Sequence, residues 1–296
     1  INVGGWGKPT PNLVTVGVGL DGSIEVANKF GRAHLLVDVF GYFTGDTSRA
    51  ADHFVPLVPK RLFDTRTGQG VAEGPLGHLD PIEIAVADRA GVPADATAVV
   101  INLTATEPDA PGFLRLTPAG QEPAATSNVN FFEGDTVPNL VIVSLGTGGK
   151  VLLDSAGNSK HAVGDVFGYF TTGAGDRLRA VAPRRLLDTR EGLGAQRRGV
   201  GPDHRIDVMV RRRAGVPDGA SAVVLNVAAV NTTAPSFLTV WPTGSPEPDT
   251  SNLNLFTPEP IANLVICRLG DDGALTFGNQ LADCDVIADV MGYFTP

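Results

Sequence analysis

Residues 61–66 read RLFDTR, and residues 185–190 read RLLDTR. This recurrence decides the fold because it belongs to a repeat without gaps. When the sequence is shifted by 124 residues, residues 54–172 lie on residues 178–296 with about two in five positions identical. An ungapped repeat of this length predicts two complete domains, here called the first copy and the second copy, each with its own core.

A third copy is present only in part. Residues 12–43, here called the partial copy, lie without a gap on residues 139–170 and on residues 263–294. The match covers the second half of the repeat and includes no RLxDTR stretch. We therefore expect residues 1–47 to be the C-terminal half of a repeat unit, an incomplete sandwich.

Two interpretations of this incomplete unit remain open. The chain is either a piece of a longer array entered in the middle of a repeat, or residues 1–45 are completed by strands from another chain, such as another copy of this chain or a neighbouring repeat. Uncovered strands would otherwise expose an apolar face and an open edge. The sequence starts at Ile1 without a basic and apolar leader, so we expect a processed or trimmed N-terminus.

Short β-branched runs such as IEIAV (82–86) predict strands throughout the repeat, and no segment has convincing helical periodicity. We interpret NLVIVSLGTGGKVLLD (139–154) as a hairpin with its turn at GTGG. Roughly eight strands in each copy of about 120 residues predict all-β, antiparallel sandwiches of jelly-roll type. A weaker symmetry inside each copy keeps a five-bladed β-propeller as the alternative.

Charge and hydropathy exclude two classes of partner. The net charge is −9 with a pI near 5.0, which argues against nucleic-acid binding. No apolar stretch approaches the roughly 18–20 residues of a membrane-spanning helix.

Polar residues shared by the copies predict an internal network. An aspartate inside an apolar strand is costly to bury unless it is paired. We therefore expect the arginine of DTR or of RAGVP to bind the aspartate of DVxGYF, and the asparagine of TSNxN to cap loop backbone. A ligand site built from the same residues is the competing interpretation. The network comprises Asp64, Arg66, Arg89, Asn128, Asp165, Asp188, Arg190, Arg213, Asn252 and Asp289.

No catalytic, metal-binding or cofactor-binding motif is predicted. The position of His34 and His161 is Asp285 in the second copy, which argues against a shared general base or metal ligand. Cys267 and Cys284 leave a disulfide open: paired cysteines are usual in secreted domains, but a meander would place a strand between them.

The ordered motifs RLxDTR, RAGVP…AVVxN, TSNxN, NLVxxxLG and DVxGYF resemble a tandem repeat family of secreted actinobacterial and related bacterial surface proteins. In that family the repeats occur alone or appended to cell-wall hydrolases or deacetylase-like domains. The resemblance implies an extracellular, non-catalytic module. Family members place cysteines after WP and in the next hairpin; this chain has residues such as Thr243 and Thr276 there, so that bridge does not carry over.

The sequence thus predicts a structural or adhesive protein of the cell surface or extracellular space, forming a rod or another assembly. The alternative is a module that binds cell-wall polysaccharide or exopolysaccharide.

Overall fold

The protein is described by a computed structural model that covers residues 9–29, 31–45, 52–123, 125–157, 160–256 and 259–296. Residues 1–8, 30 and 46–47 of the predicted N-terminal unit lie outside the described residues. All regular secondary structure within the described residues is β-strand.

The first copy folds into two facing four-stranded antiparallel sheets. One sheet has the strand order β1-β8-β3-β6 and the other has the order β2-β7-β4-β5, which is the strand arrangement of a jelly roll. The strands are β1 (His53–Asp64), β2 (Ile82–Ala85), β3 (Ala96–Thr106), β4 (Gly112–Pro118), β5 (Val129–Phe131), β6 (Thr136–Ser144), β7 (Lys150–Ala156) and β8 (His161–Thr171).

The second copy repeats this topology, with sheets β9-β16-β11-β14 and β10-β15-β12-β13. Each copy encloses its own apolar core between its two sheets. The predicted tandem jelly-roll sandwich is therefore confirmed, and the five-bladed propeller is wrong. The strands are β9 (Arg177–Asp188), β10 (His204–Met209), β11 (Ala222–Val230), β12 (Ser236–Pro242), β13 (Leu253–Leu255), β14 (Ile261–Arg268), β15 (Ala274–Asn279) and β16 (Asp285–Thr295).

Strand pairing joins the first half of each copy to its second half. β6, β7 and β8 hydrogen-bond only with β1, β2, β3 and β4, never with one another, and the second copy follows the same rule. The predicted hairpin over residues 139–154 is consequently wrong. Its turn at residues 146–149 carries the chain from one sheet to the other, because β6 and β7 lie in different sheets.

The central sheet of each copy is apolar on both faces. In β3, Val99, Ile101 and Leu103 point into the core of the first copy, whereas Val100 points away from it. A strand covered on both faces is expected to have a nearly continuous apolar sequence, as AVVINL has. The outward face therefore belongs to a second apolar layer.

That layer, here called the inter-copy cluster, packs the two copies side by side. The Phe54 ring lies 5.2 Å from the Phe170 ring and 4.3 Å from the Phe294 ring. The two complete copies therefore pack side by side and not end to end. The cluster comprises Phe54, Val100, Leu140, Phe167 and Phe170 of the first copy and Ala222, Val224, Leu264, Ile266 and Phe294 of the second.

The partial copy contacts this cluster at both of its ends. Leu13 packs against it, and the Phe43 ring lies 6.0 Å from Phe170 and 6.4 Å from Phe294. Phe43, Phe170 and Phe294 occupy the same repeat position, the last letter of GYF. The three copies therefore meet around a common axis.

Between its ends the partial copy has no strand among its described residues. A turn forms at residues 19–22, the counterpart of residues 146–149, and is closed by a hydrogen bond from Gly22 N to Gly19 O. Leu36 and Val39 are each 85% exposed. The physical reason is the pairing rule: the segments equivalent to β6, β7 and β8 meet no first-half strands of their own in the part of the chain that the structure describes.

A glycine substitution tests how closely the two halves approach each other. A Cβ on Gly168 would lie 2.4 Å from the Phe54 ring and 2.8 Å from Val55 O. We expect Gly168→Ala to lower the free energy of unfolding in chemical denaturation by about 1–3 kcal/mol, the usual cost of overpacking.

The matched control is Gly41→Ala, at the same repeat position in the partial copy. Nothing lies within 4 Å of a Cβ there, so a change of under about 0.5 kcal/mol is expected. Equal losses in the two variants would contradict the prediction.

Candidate functional site: the shared polar residues

The aspartate inside β8 is buried and paired with an arginine of β1. Arg61 and Asp165 are direct cross-strand partners, and Arg61 Nε donates to Asp165 Oδ1 over 2.5 Å. Arg61 also donates to Asp64 Oδ2 over 3.0 Å. Arg66 binds the same Asp64 through its backbone N and through two guanidinium nitrogens. Two arginines thus bind two buried carboxylates at the end of β1 that pairs with the start of β8.

The second copy repeats this arrangement. Arg185 Nε donates to Asp289 Oδ1 over 2.5 Å, and Arg185 Nη1 donates to Asp188 Oδ2 over 2.8 Å. Arg190 binds Asp188 with two guanidinium nitrogens, as its counterpart does in the first copy. The same ion-pair geometry therefore arises twice from the same motif.

The predicted partner of the strand aspartate was wrong. It is the first arginine of RLxDTR, not the arginine of DTR, because only the first lies opposite the aspartate in the strand register. Arg66 turns back onto Asp64 instead. Arg89 and Arg213, in RAGVP, lie in exposed turns next to Ala90 and Ala214, which adopt positive φ.

Burial and pairing move the pKa values of these carboxyl groups in different directions. Burial would raise the pKa of Asp64, but hydrogen bonds from Arg66 and the charges of both arginines lower it below its usual value. Hydrogen bonds from Arg190 lower the pKa of Asp188 to about 2, against a smaller effect of burial. Burial raises the pKa of Asp165 to about 6, since Arg61 offsets its desolvation only in part.

The asparagines of TSNxN hold backbone groups inside each copy. Asn128 Oδ1 accepts from Leu116 N over 2.7 Å, and Asn252 Oδ1 accepts from Val240 N over 2.7 Å. The backbone carbonyl oxygens of the same two residues also accept hydrogen bonds. The donor in each copy is the side-chain amide of the asparagine that opens NLV, Asn139 or Asn263.

The NLV asparagines form a closed ring among the three copies. Leu13 N donates to Asn139 Oδ1 over 3.3 Å, and Leu140 N donates to Asn263 Oδ1 over 3.2 Å. The ring closes where Leu264 N donates to Asn12 Oδ1 over 3.1 Å. Each copy therefore accepts one backbone hydrogen bond from a neighbour and donates one to the other, as in an approximately three-fold arrangement.

Sequence reasoning missed the role of Arg61 and of this asparagine ring. A signal for both was present, since the arginine recurs in both complete copies and the asparagine in all three. Residue identity does not say whether a polar group bonds within its own copy or with a neighbour.

The two cysteines are free thiols, so the disulfide left open by the sequence is not formed. Cys267 pairs with Val223 near one end of β11, whereas Cys284 precedes β16, which meets the other end of β11 at Val230. Seven residues of strand separate those ends by roughly 20 Å, far beyond the reach of a disulfide. Burial raises the pKa of both thiols, that of Cys284 to about 12. Thr243 and Thr276, where the resembling family carries cysteines, share a hydrogen bond of 3.0 Å.

Two shallow depressions are found on the described surface. The first, of 230 Å³, is lined by Thr189, Gln196, Arg198 and Asp207, with Ala195 and Ile206. The second, of 280 Å³, lies between the partial copy and β9. Both are smaller than the roughly 300–1,000 Å³ of common small-molecule sites. Within the described residues, no three His, Cys, Asp or Glu side chains gather into a metal-binding group. Those residues also include no helix long and apolar enough to span a membrane.

No family model and no curated protein matches the sequence. Among solved structures, the chain is similar to the N-terminal CBM22-1–CBM22-2 tandem domain of Xyn10C from Paenibacillus barcinonensis. The two share 12% identity over 82% of this chain and 99% of that chain, with a TM-score of 0.21. A TM-score this low does not bear on function, and the jelly-roll description rests on the sheets themselves.

Removal of Arg61 should cost far more stability than removal of its counterpart. The Arg61 side chain is 16% exposed and that of Arg185 is 40% exposed. Arg61→Ala leaves Asp165 buried without its cation, so we expect a loss of about 3–5 kcal/mol in urea denaturation. Arg185→Ala is expected to cost about 1 kcal/mol, as for a partly exposed pair. A larger loss for Arg185→Ala would refute this ranking.

The raised pKa of Asp165 makes stability fall as the pH rises from about 4 to about 6. In that window the folded chain keeps a proton that the unfolded chain releases, which favours the folded state at the acidic end. A pKa displacement from 3.8 to about 6 corresponds to a change of about 3 kcal/mol in the free energy of unfolding across the window. Asp165→Asn cannot titrate, so its unfolding free energy should change less between pH 4 and pH 6. Parallel pH profiles for the two proteins would contradict this assignment.

Proposed function

We propose that the protein is a non-catalytic structural or adhesive repeat protein of the cell surface or extracellular space, whose jelly-roll copies associate side by side. The observation that carries the proposal is the asparagine ring beside the inter-copy cluster. Polar residues shared by all copies are engaged there in holding the copies together.

The ion pairs support the same function. The buried carboxylates of the first copy are held by arginines of their own copy, and Arg61 also reaches Asp249 O in the second copy over 2.9 Å. A group engaged in this way is a poor candidate for binding a ligand or transferring protons. The resemblance to secreted bacterial repeats supports the extracellular location.

A second candidate function is polysaccharide binding, favoured by one depression of the second copy. Gln196, Arg198 and Asp207 are exposed there and bring amide, guanidinium and carboxylate groups together. Such groups hydrogen-bond sugar hydroxyls, and the solvent-facing location suits a cell-wall glycan.

The structural function is tested by Asn263→Ala. Asn263 is buried, accepts from Leu140 N, and donates to both Asn102 Oδ1 and Asn252 O. Its loss leaves several buried groups unpaired, so we expect the unfolding free energy to fall by about 2–4 kcal/mol. Asn254→Ala is the control, since Asn254 Nδ2 has no hydrogen-bond partner within the described residues and its removal should cost little.

The same proteins distinguish the two functions on insoluble glycans. Purified chain is mixed with bacterial cell walls, xylan or cellulose, beside the double variant Gln196→Ala with Asp207→Ala. The structural function predicts no saturable retention of either protein. Saturable retention that the double variant loses would overturn it in favour of glycan binding.

A further inference from the structure

One face of the second copy lacks a cover that the same face of the first copy has. In the first copy, Arg61 Nη2 donates to Asp249 O over 2.9 Å and Asn102 Nδ2 donates to Ser251 O over 2.6 Å. Both acceptors belong to residues 249–252 of the second copy, here called its TSN loop. The equivalent Arg185 and Asn226 meet no such loop within the described residues.

Equivalent side chains of the two copies differ in exposure accordingly. The Asp165 side chain is 2% exposed and that of Asp289 is 23% exposed, although both pair with an arginine in the same way. Most residues of β9 before Leu186 are exposed, whereas most of their counterparts in β1 are buried or half-buried. The surface that the second copy covers on the first copy is thus exposed at the equivalent place on the second copy.

The partial copy already occupies one corner of this open interface. Asn12 accepts from Leu264 N over 3.1 Å, as Asn263 accepts from Leu140 N, and its Nδ2 lies 3.5 Å from Asn226 Oδ1. It therefore docks on the second copy as the second copy docks on the first. The depression of 280 Å³ lies between residues 15–17 of the partial copy and residues 180–183 of β9, next to this contact.

Gly41 of the partial copy lies in open space among the described residues, whereas its two counterparts contact a first-half strand. Gly168 is crowded by Phe54 and Val55 of β1, and Gly292 by Arg179 O of β9. Gly41, at the same position, has nothing within 4 Å of a Cβ. The apolar side chains of Leu36, Val39 and Tyr42 near it are largely exposed.

We propose that this surface binds the first half of a third repeat, a polypeptide equivalent in sequence to residues 54–138. Its strands would pair with the partial copy by the rule that both complete copies follow. Its TSN loop would cover Arg185 and Asn226, which closes a ring of three jelly rolls around the asparagines.

The experiment joins a duplicate of residues 54–138 directly to Asn12 and compares the product with the unextended chain. Two readouts are used: the fluorescence of a dye that binds exposed apolar surface, and amide exchange at residues 12–43 and in β9. The extended chain should lose most of the dye fluorescence, by severalfold, and exchange should slow in both segments. Unchanged dye binding and exchange, with both complete copies folded, would overturn the proposal.

A matched control carries alanine at the Arg61 and Asn102 positions of the added segment only. In this control the partial copy should fold less completely. The added half then lacks the ion pair that Arg61 makes in the first copy and the contact that Asn102 makes with a neighbouring TSN loop. Full recovery by this control would count against the proposed docking geometry.

If the extended chain does not fold, the segment 54–138 is added as a separate polypeptide to the unextended chain. A one-to-one complex in native mass spectrometry, with loss of dye fluorescence, supports the docking surface. No complex at tens of micromolar would overturn the proposal. Neither result depends on whether the protein binds glycan.

Discussion

In each copy the backbone hydrogen bonds of the second-half strands go only to first-half strands. Because β6, β7 and β8 never pair with one another, neither half can satisfy its backbone groups by itself, and a complete copy is the smallest stable unit. The same rule explains why the partial copy, whose sequence matches that of a second half, forms no strand among its described residues. β6, β7 and β8 thus follow one another along the chain but are not neighbours in a sheet.

The polar residues that the copies share fall into two groups by what they bind. The arginines and aspartates of RLxDTR and DVxGYF act within one copy, where they compensate the cost of carboxylates buried between β1 and β8. The NLV asparagines act between copies, where their side-chain oxygens replace the strand partner that a backbone N–H would otherwise lack. Both groups sit beside the inter-copy cluster, so polar and apolar contributions to the association of copies are adjacent.

Equivalent residues in the two complete copies have the same geometry but different surroundings. Arg61 and Arg185 make matching ion pairs, yet among the described residues a neighbouring copy covers only the first. The neighbour that packs over a copy, and not the copy's own sequence, therefore sets how exposed each ion pair is. This dependence is expected where the desolvation of a charge is set by the neighbour that packs over it.

The sequence by itself determined the repeat, the all-strand composition and the jelly-roll class, because residue identity at a fixed offset and β-branched runs are local signals. It also singled out the polar positions, but it assigned Asp165 to Arg66 or Arg89 in place of Arg61, and it interpreted residues 139–154 as a hairpin. Only the tertiary structure decided these points. Cross-strand partners depend on the register between segments far apart in the chain, and β6 and β7, which are adjacent in sequence, lie in opposite sheets. The asparagine ring likewise follows from how whole copies pack around an axis, which the order of residues along one copy does not encode.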